Sequence, residues 1–200
     1  MKTLLVVNAS PNTQQSHTRA LTAAFEDFWL AANPDGKVIH RDVSADHIAQ
    51  LDGNTIGAFY TPLEQRSDTQ QQAVSLSDTL VDELIEADEI VLGSPMHNFS
   101  VTVGMKSWVD QICRVGRTFN YTEKGPEGAL GGRKATIITA SGGSYGEGSP
   151  MAHLNFNDPY LRTVLGFVGI TDVEVVSAPG VAKDDSGVQA AKEALRARFN

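Results

Sequence analysis

The amino-acid sequence predicts an α/β fold: five strands separated by helices, and hence a parallel sheet covered on both faces. Two observations carry that expectation. Short continuous apolar runs, the pattern of strands buried on both sides, recur through the chain. Between them lie segments whose apolar residues return every three or four positions, the spacing of a helix with one buried face. With no internal repeat, low-complexity tract or linker, residues 1–200 are expected to form one domain.

"KTLLVV" (Lys2–Val7) reads as the first strand. A helical stripe of Leu21, Phe25, Phe28 and Ala32 follows from Thr18, and "NPDG" (Asn33–Gly36) ends it. "KVIHRDV" is the second strand. Residues 44–69 are mixed and irregular, longer than the usual few-residue connection. Ala73, Leu76, Leu80 and Leu84 mark the next helix, and "EIVLGSP" (Glu89–Pro95) the third strand. Another helix places Met105, Trp108, Val109, Ile112 and Cys113 on one face. "RTFNYTEKGPEGALGGR" (Arg117–Arg133) is turn-rich, with "KGPEG" expected at a hairpin tip, and "KATIITA" is the fourth strand. Asp158 reads as a helix cap with Pro159 at the first helical position, ahead of Leu161, Val164, Leu165 and Val168. "DVEVVSA" (Asp172–Ala178) is the fifth strand, and Val188, Ala191, Leu195 and Phe199 form the inner face of the last helix.

Composition narrows the partners. The formal charge is −8, from 24 acidic against 16 basic residues, with no basic cluster, which argues against a nucleic-acid or anionic-membrane surface. The single cysteine, Cys113, permits no internal disulfide and suits a reducing compartment; on its apolar stripe it reads as an inert core thiol. "MKTLLVVNAS" is too short for a signal-peptide core, so a cytoplasmic location is expected. The five histidines (His17, His40, His47, His97, His153) show no metal-ligand spacing, and no metal site is expected.

In an open parallel sheet, ligands bind beyond the carboxyl ends of the strands where strand order reverses. For the order 2-1-3-4-5 the relevant loops follow strands one, three and four. They read "NASPNTQQSHT" (Asn8–Thr18), "SPMHNFS" (Ser94–Ser100) and "ASGGSYGEGS" (Ala140–Ser149). The first carries Ser10, Ser16 and Thr18 into a helix N-terminus, where unpaired N–H groups suit either a phosphate or a plain hydroxyl cap. Neither a P-loop nor the dinucleotide glycine fingerprint occurs. The second offers Pro95, Met96, His97, Asn98 and Phe99, able to sandwich and hydrogen-bond a planar heterocycle. In the third, Gly142 to Gly146 match G-x-S-x-G around Ser144, the pattern of a hydrolase nucleophile. The only later histidine, His153, precedes Asp158, so the serine–acid–histidine order cannot be completed. Glycines 142 and 143 would instead let backbone N–H groups approach a flat ring.

"GSPMHNFSVTVGMKSWVD", "TFNYTEKGPEG" and "GFVGITDVEVV" together resemble the FMN-dependent NADH-azoreductase family, a flavodoxin-like group of NAD(P)H:quinone oxidoreductases. The resemblance implies a flavodoxin-like five-stranded parallel sheet in the order 2-1-3-4-5 and a homodimer with one FMN per subunit. By position, Ser10 and Ser16-His17-Thr18 would bind the FMN phosphate. Pro95, Met96, His97, Asn98 and Phe99 would line the isoalloxazine ring, and Ala140, Ser141, Gly142 and Gly143 its other edge. Phe119 and Tyr121 would form an aromatic wall for flat substrates; the competing reading is that they simply pack a hairpin. Phe167, off the strict Leu161–Val168 stripe, is expected to face the substrate pocket. Family members often carry tyrosine in place of His97 and Ser-Arg-Gly-Gly in place of Ala140–Gly143, which bears on substrate preference. The implied reaction moves two electrons from NADH or NADPH through FMN to a quinone or aromatic azo compound by a ping-pong route, with no catalytic side chain. The alternatives are a flavodoxin-type electron carrier without pyridine-nucleotide turnover and a serine hydrolase using Ser144.

Overall fold

The computed structural model describes residues 1–199. Its first half runs β1 (Thr3–Asn8), α1 (His17–Ala32), β2 (Lys37–Asp42), α2 (Gly53–Tyr60), α3 (Asp68–Glu86) and β3 (Glu89–Pro95). The second half continues with α4 (Val103–Ile112), β4 (Phe119–Thr122), β5 (Gly125–Gly128), β6 (Lys134–Ser141), α5 (Asp158–Phe167), β7 (Asp172–Pro179) and α6 (Ser186–Ala197). Five strands form one parallel sheet in the order β2-β1-β3-β6-β7. The antiparallel pair β4–β5 stands outside it, so the order equals 2-1-3-4-5 counted over the sheet's own strands.

Successive side chains of a strand point to opposite faces, and β1 shows why its run is apolar throughout. Leu4 and Val6 pack with Leu21, Phe25 and Trp29 of α1 and with Ala191 and Leu195 of α6. Leu5 and Val7 pack on the other side with residues of α3, α4 and α5, among them Leu84, Trp108 and Leu165. The two clusters cover both faces of the sheet.

Several local expectations shift. In α1 Trp29 joins Leu21 and Phe25 as fully buried, while Phe28 is half-buried and Ala32 exposed. Trp29 Nε1 donates to Glu89 at 3.0 Å, so its one polar atom is satisfied inside the core. The 44–69 segment is not irregular: it contains α2, capped by Asp52, whose carboxylate accepts from Thr55 N–H at 2.7 Å. Phe59 of α2 and Val74 of α3 form a third, small cluster. "KGPEG" does not tip the hairpin, because Gly125–Gly128 is its second strand and Glu123-Lys124 makes the turn. Asn157, not Asp158, flanks α5, and it makes no side-chain cap. Phe199 lies beyond the end of α6 and meets the Phe25 ring edge-on at 5.3 Å.

The hairpin is seated on the end of α5 by two glycines back to back. Gly169 has φ +100°, and a β-carbon built on Gly128 would overlap the backbone of Val168 and Gly169. Leu130 N–H donates to Val168 O at 2.8 Å beside this contact. The partners are backbone atoms and cannot swing aside. Gly128→Ala is therefore expected to cost about 1–3 kcal/mol in chemical denaturation; unchanged stability would show that the hairpin is not held there.

Candidate functional site

Three loops leave the carboxyl ends of β1, β3 and β6. The first ends at Ser16, which caps α1 by accepting from Arg19 N–H at 3.3 Å and lies 3.1 Å, hydroxyl to hydroxyl, from Thr18. The His17 and Thr18 N–H groups have no partner among the described residues. They sit at the positive end of a sixteen-residue helix, the geometry that receives an anion. The loop before them is braced. Asn12 Oδ1 accepts from Gln14 and Gln15 N–H at 3.1 and 2.9 Å. Arg19 grips Ser10 O through Nε and Nη2, at 3.1 and 2.6 Å, while its fork also binds Asp42 at 2.6 and 2.9 Å. Burial pushes the Asp42 carboxyl pKa up, but hydrogen bonds from Arg19 and from Ala45 and Ser44 N–H outweigh it and hold it below the usual value.

The second loop is a tight turn. His97 N–H donates to Ser100 O at 2.9 Å and Ser100 N–H returns to His97 O at 3.0 Å. Its central residues, Asn98 and Phe99, have φ values of +48° and +73°. Such turns favour Asn and Gly; a phenylalanine in the left-handed region is strained. The turn is pinned from the third loop, where Phe156 N–H donates to Phe99 O at 2.8 Å. Beneath it, fully buried Asn157 joins β3 by an exchange with Ser94: Ser94 Oγ to Asn157 Oδ1 at 2.9 Å, Asn157 Nδ2 to Ser94 O at 3.2 Å.

The third loop lies against the end of β7. Gly180 N–H donates to Gly143 O and Val181 N–H to Ser141 O, each at 3.2 Å. A β-carbon on Gly142 would meet only Ala182 Cβ, at an ordinary 3.5 Å. No protein neighbour and no positive φ demands glycine there, which leaves open space in front of its backbone.

Two adjoining clefts result. One, about 200 Å³, is lined by Ser10, Ser16, His17, Thr18, Pro95, Met96, His97, Ala140, Ser141 and Gly142, together with Asn12, Gln15 and Val181. The other, about 360 Å³, is lined by Asn98, Phe99, Gly143 and Tyr145 and shares Met96, Ser141 and Gly142 with the first. All thirteen residues expected at a cofactor site meet in these two spaces. Sequence reasoning missed four: Asn12, Gln15 and Tyr145 were readable as parts of the first and third loops, while Val181 arrives only through folding. Tyr145 meets the Phe99 ring edge-on at 5.9 Å. A larger groove of about 560 Å³, bounded by Leu51, Val101, Val103 and Tyr160, holds none of the thirteen.

Phe119, Tyr121 and Phe167 come together elsewhere. Phe119 lies 4.5 Å from Phe167 and 5.5 Å from Tyr121, and none of the three lines either cleft. Phe119 is buried, whereas Tyr121 is 66% exposed. Ser144 is exposed in a loop with no following α-helix until α5, and its side chain meets no base among the described residues. A nucleophile elbow is absent, since the strand is not followed at once by a helix. Cys113 is half-buried, and burial pushes its thiol up to about 11, the opposite of a reactive thiolate. Among the described residues no group of histidine, cysteine or carboxylate side chains could hold a metal ion, and no helix is long and apolar enough to cross a membrane.

A five-stranded parallel sheet with its clefts at the reversal point beside β1 and β3 defines a flavodoxin-like α/β protein. A family model described as a flavodoxin-like fold matches residues 2–199. The chain is 49% identical over 191 residues to an FMN-dependent NADH:quinone oxidoreductase of Herminiimonas arsenicoxydans, covering 96% of this chain and 93% of that protein. It is 48% identical to one from Acidobacterium capsulatum, over 92% and 88% of the two chains. The crystal structure of an azoreductase from Bacillus anthracis superposes with a TM-score of 0.92 at 26% identity, covering 100% of this chain and 99% of that one. This chain belongs to the flavodoxin-like family of FMN-dependent NADH:quinone oxidoreductases and azoreductases.

Two measurements probe the scaffold of the site. Phe99→Gly relieves the left-handed strain and should gain about 0.5–1 kcal/mol, read as a rise in Tm; a fall would mean that the side chain's contacts outweigh the strain. Because the folded Asp42 pKa lies below its unfolded value near about 3.9, the unfolded chain binds that proton more readily. Its stabilisation is complete above that pH and is lost as pH falls through the folded value. Asp42→Asn should flatten the acid limb of stability against pH; an unaltered limb would remove the Arg19–Asp42 pair from the account.

Proposed function

We propose that the two clefts hold FMN and that the protein passes two electrons from NADH or NADPH to quinones and aromatic azo compounds. The observation that carries the reading is the joining of an anion-receiving helix end to a flat, neutral slot. In this arrangement Ser10, Ser16, Thr18 and the His17 and Thr18 N–H groups hold the phosphate. Pro95 to Phe99 would line one side of the ring and Ala140 to Gly143 the other. Gly142 supplies the fit: a cradle that a side chain would fill and that the fold itself does not need to leave open. Bound flavin supplies the redox chemistry, which no side chain of this protein can provide.

The chain's own part is to bind, orient and shield. With FMN bound, the Gly142 and Gly143 amides would supply backbone donors at the edge of the ring, by the logic of an oxyanion hole. Donor and acceptor occupy the same slot in turn, which gives ping-pong kinetics. The Phe119–Tyr121–Phe167 group lines neither cleft of its own chain; we assign it to the substrate end of a homodimer, where exposed Tyr121 offers a flat surface. The single-domain, cytoplasmic reading accords with a family match across residues 2–199 and with the lone, unreactive cysteine.

Purified protein should be yellow, be bleached by NADH without air, and recover its colour when a quinone is added. Colour that NADH leaves untouched would indicate an electron carrier, and colourless protein indifferent to added FMN would end the reading. Gly142→Val separates fold from ligand: the unfolding free energy of the flavin-free protein should stay within about 0.5 kcal/mol of wild type, while bound FMN is lost. Retained FMN would take Gly142 out of the site.

A further inference from the structure

Away from those clefts, another space of about 360 Å³ opens between α3 and the turn joining α4 to β4. Three guanidinium groups line it, Arg66, Arg114 and Arg117, against two carboxylates, Asp78 and Asp82. That local excess of one positive charge stands out in a chain of net charge −8.

Arg114 is the anchor. It is only 2% exposed, stacked 4.2 Å from the centre of the Phe59 ring. Its Nη1 donates to Ser77 Oγ at 2.6 Å and meets Asp78 at 3.1 Å. Its Nε is buried without a partner among the described residues. A buried polar group left unpaired is costly, and a guanidinium has five N–H groups to satisfy. The carboxylates do not neutralise the cluster. Asp78 is shared with Arg117 at 3.5 Å, and Asp82, bound to Arg117 at 2.5 Å, is 70% exposed. Arg66 spends its Nε on the carbonyls of Ala58 and Thr61, at 3.1 and 3.0 Å, and pairs with no carboxylate among the described residues. Burial lowers the Arg114 pKa; Asp78 opposes it, and the Arg66 and Arg117 charges press the same way as burial.

We propose that this cleft is a second binding site, for a phosphate-type oxyanion held between the forks of Arg66, Arg114 and Arg117. Planar guanidinium forks match the oxygen spacing of phosphate, and an anion there relieves the repulsion among three like charges. The stacked, buried Arg114 is already ordered, so little rotamer freedom is lost on binding. This site does not rest on the flavin reading.

The test is thermal unfolding of the full chain at constant ionic strength, in which a shift that survives the arginine variants belongs to the α1 loop and not to this cleft. Inorganic phosphate at about ten times its Kd should raise Tm by about 3–5 °C over chloride. Arg66→Gln should abolish that shift, and Arg117→Gln should do so too if the first variant unfolds. Asp82→Asn, at an exposed position, should enlarge it. Adenosine monophosphate at the same concentration separates the sources: an equal shift assigns free phosphate, a larger one a phosphate monoester. No phosphate shift in the wild type, or the same shift in both arginine variants, would overturn the proposal.

Discussion

Helix α1 lies so close on β3 that a β-carbon at Gly93 would stand 2.8 Å from Thr22 Cγ2 and 2.9 Å from Asn8 Oδ1. Thr22 Oγ1 donates to that same Asn8 oxygen at 2.8 Å, tying the helix to the end of β1. At its other end, Trp29 is buried and bonded to Glu89 at the start of β3. Two fixed points on one helix leave its axis little freedom. Its N-terminus is thereby held over the carboxyl ends of β1 and β3, and His17 and Thr18 line the cleft. The α1 end of the candidate site follows from this one close contact between a helix and a strand.

The other half is built differently, by strain held in place. A left-handed Phe99 is unfavourable by about 1–2 kcal/mol and persists only where its surroundings over-determine it. Here they do. Met96 N–H is fixed to Ala140 O at 2.9 Å on one side, and Phe156 N–H to Phe99 O on the other. The buried Ser94–Asn157 exchange locks the strand end below. The third loop thus serves both as one wall of the cleft and as the brace for the opposite wall. Strain kept at such a place is the usual mark of a functional turn.

Much of this was legible beforehand, for reasons that differ by residue. The apolar runs of β1, β3 and β6 announce strands buried on both faces, and parallel crossovers then leave few strand orders to consider. The switch-point rule selects three loops by topology alone, and their small and amide residues do converge. What misled was local pattern without packing. Phe28 fits the helical spacing as well as Trp29 does, and only contact with the sheet favours the tryptophan. "KGPEG" looks like a turn because glycine and proline usually make turns, yet Gly128 is in a strand because a backbone must pass Gly169 there.

Alone, the chain of amino acids determined what is periodic or chemically local: the alternation of strand and helix, the parallel sheet, the hydroxyl-rich approach to α1 and the neutral character of the three loops. Those properties depend on residues within a turn or two of one another, so a linear reading captures them. Folding decided what depends on partners far apart in the chain. Arg19 reaching Asp42, Ser94 meeting Asn157 across 63 positions, Tyr145 against Phe99 and Arg114 stacked on Phe59 are of this kind. No periodicity encodes such pairs, because each is selected by the space that remains once helices and sheet have packed.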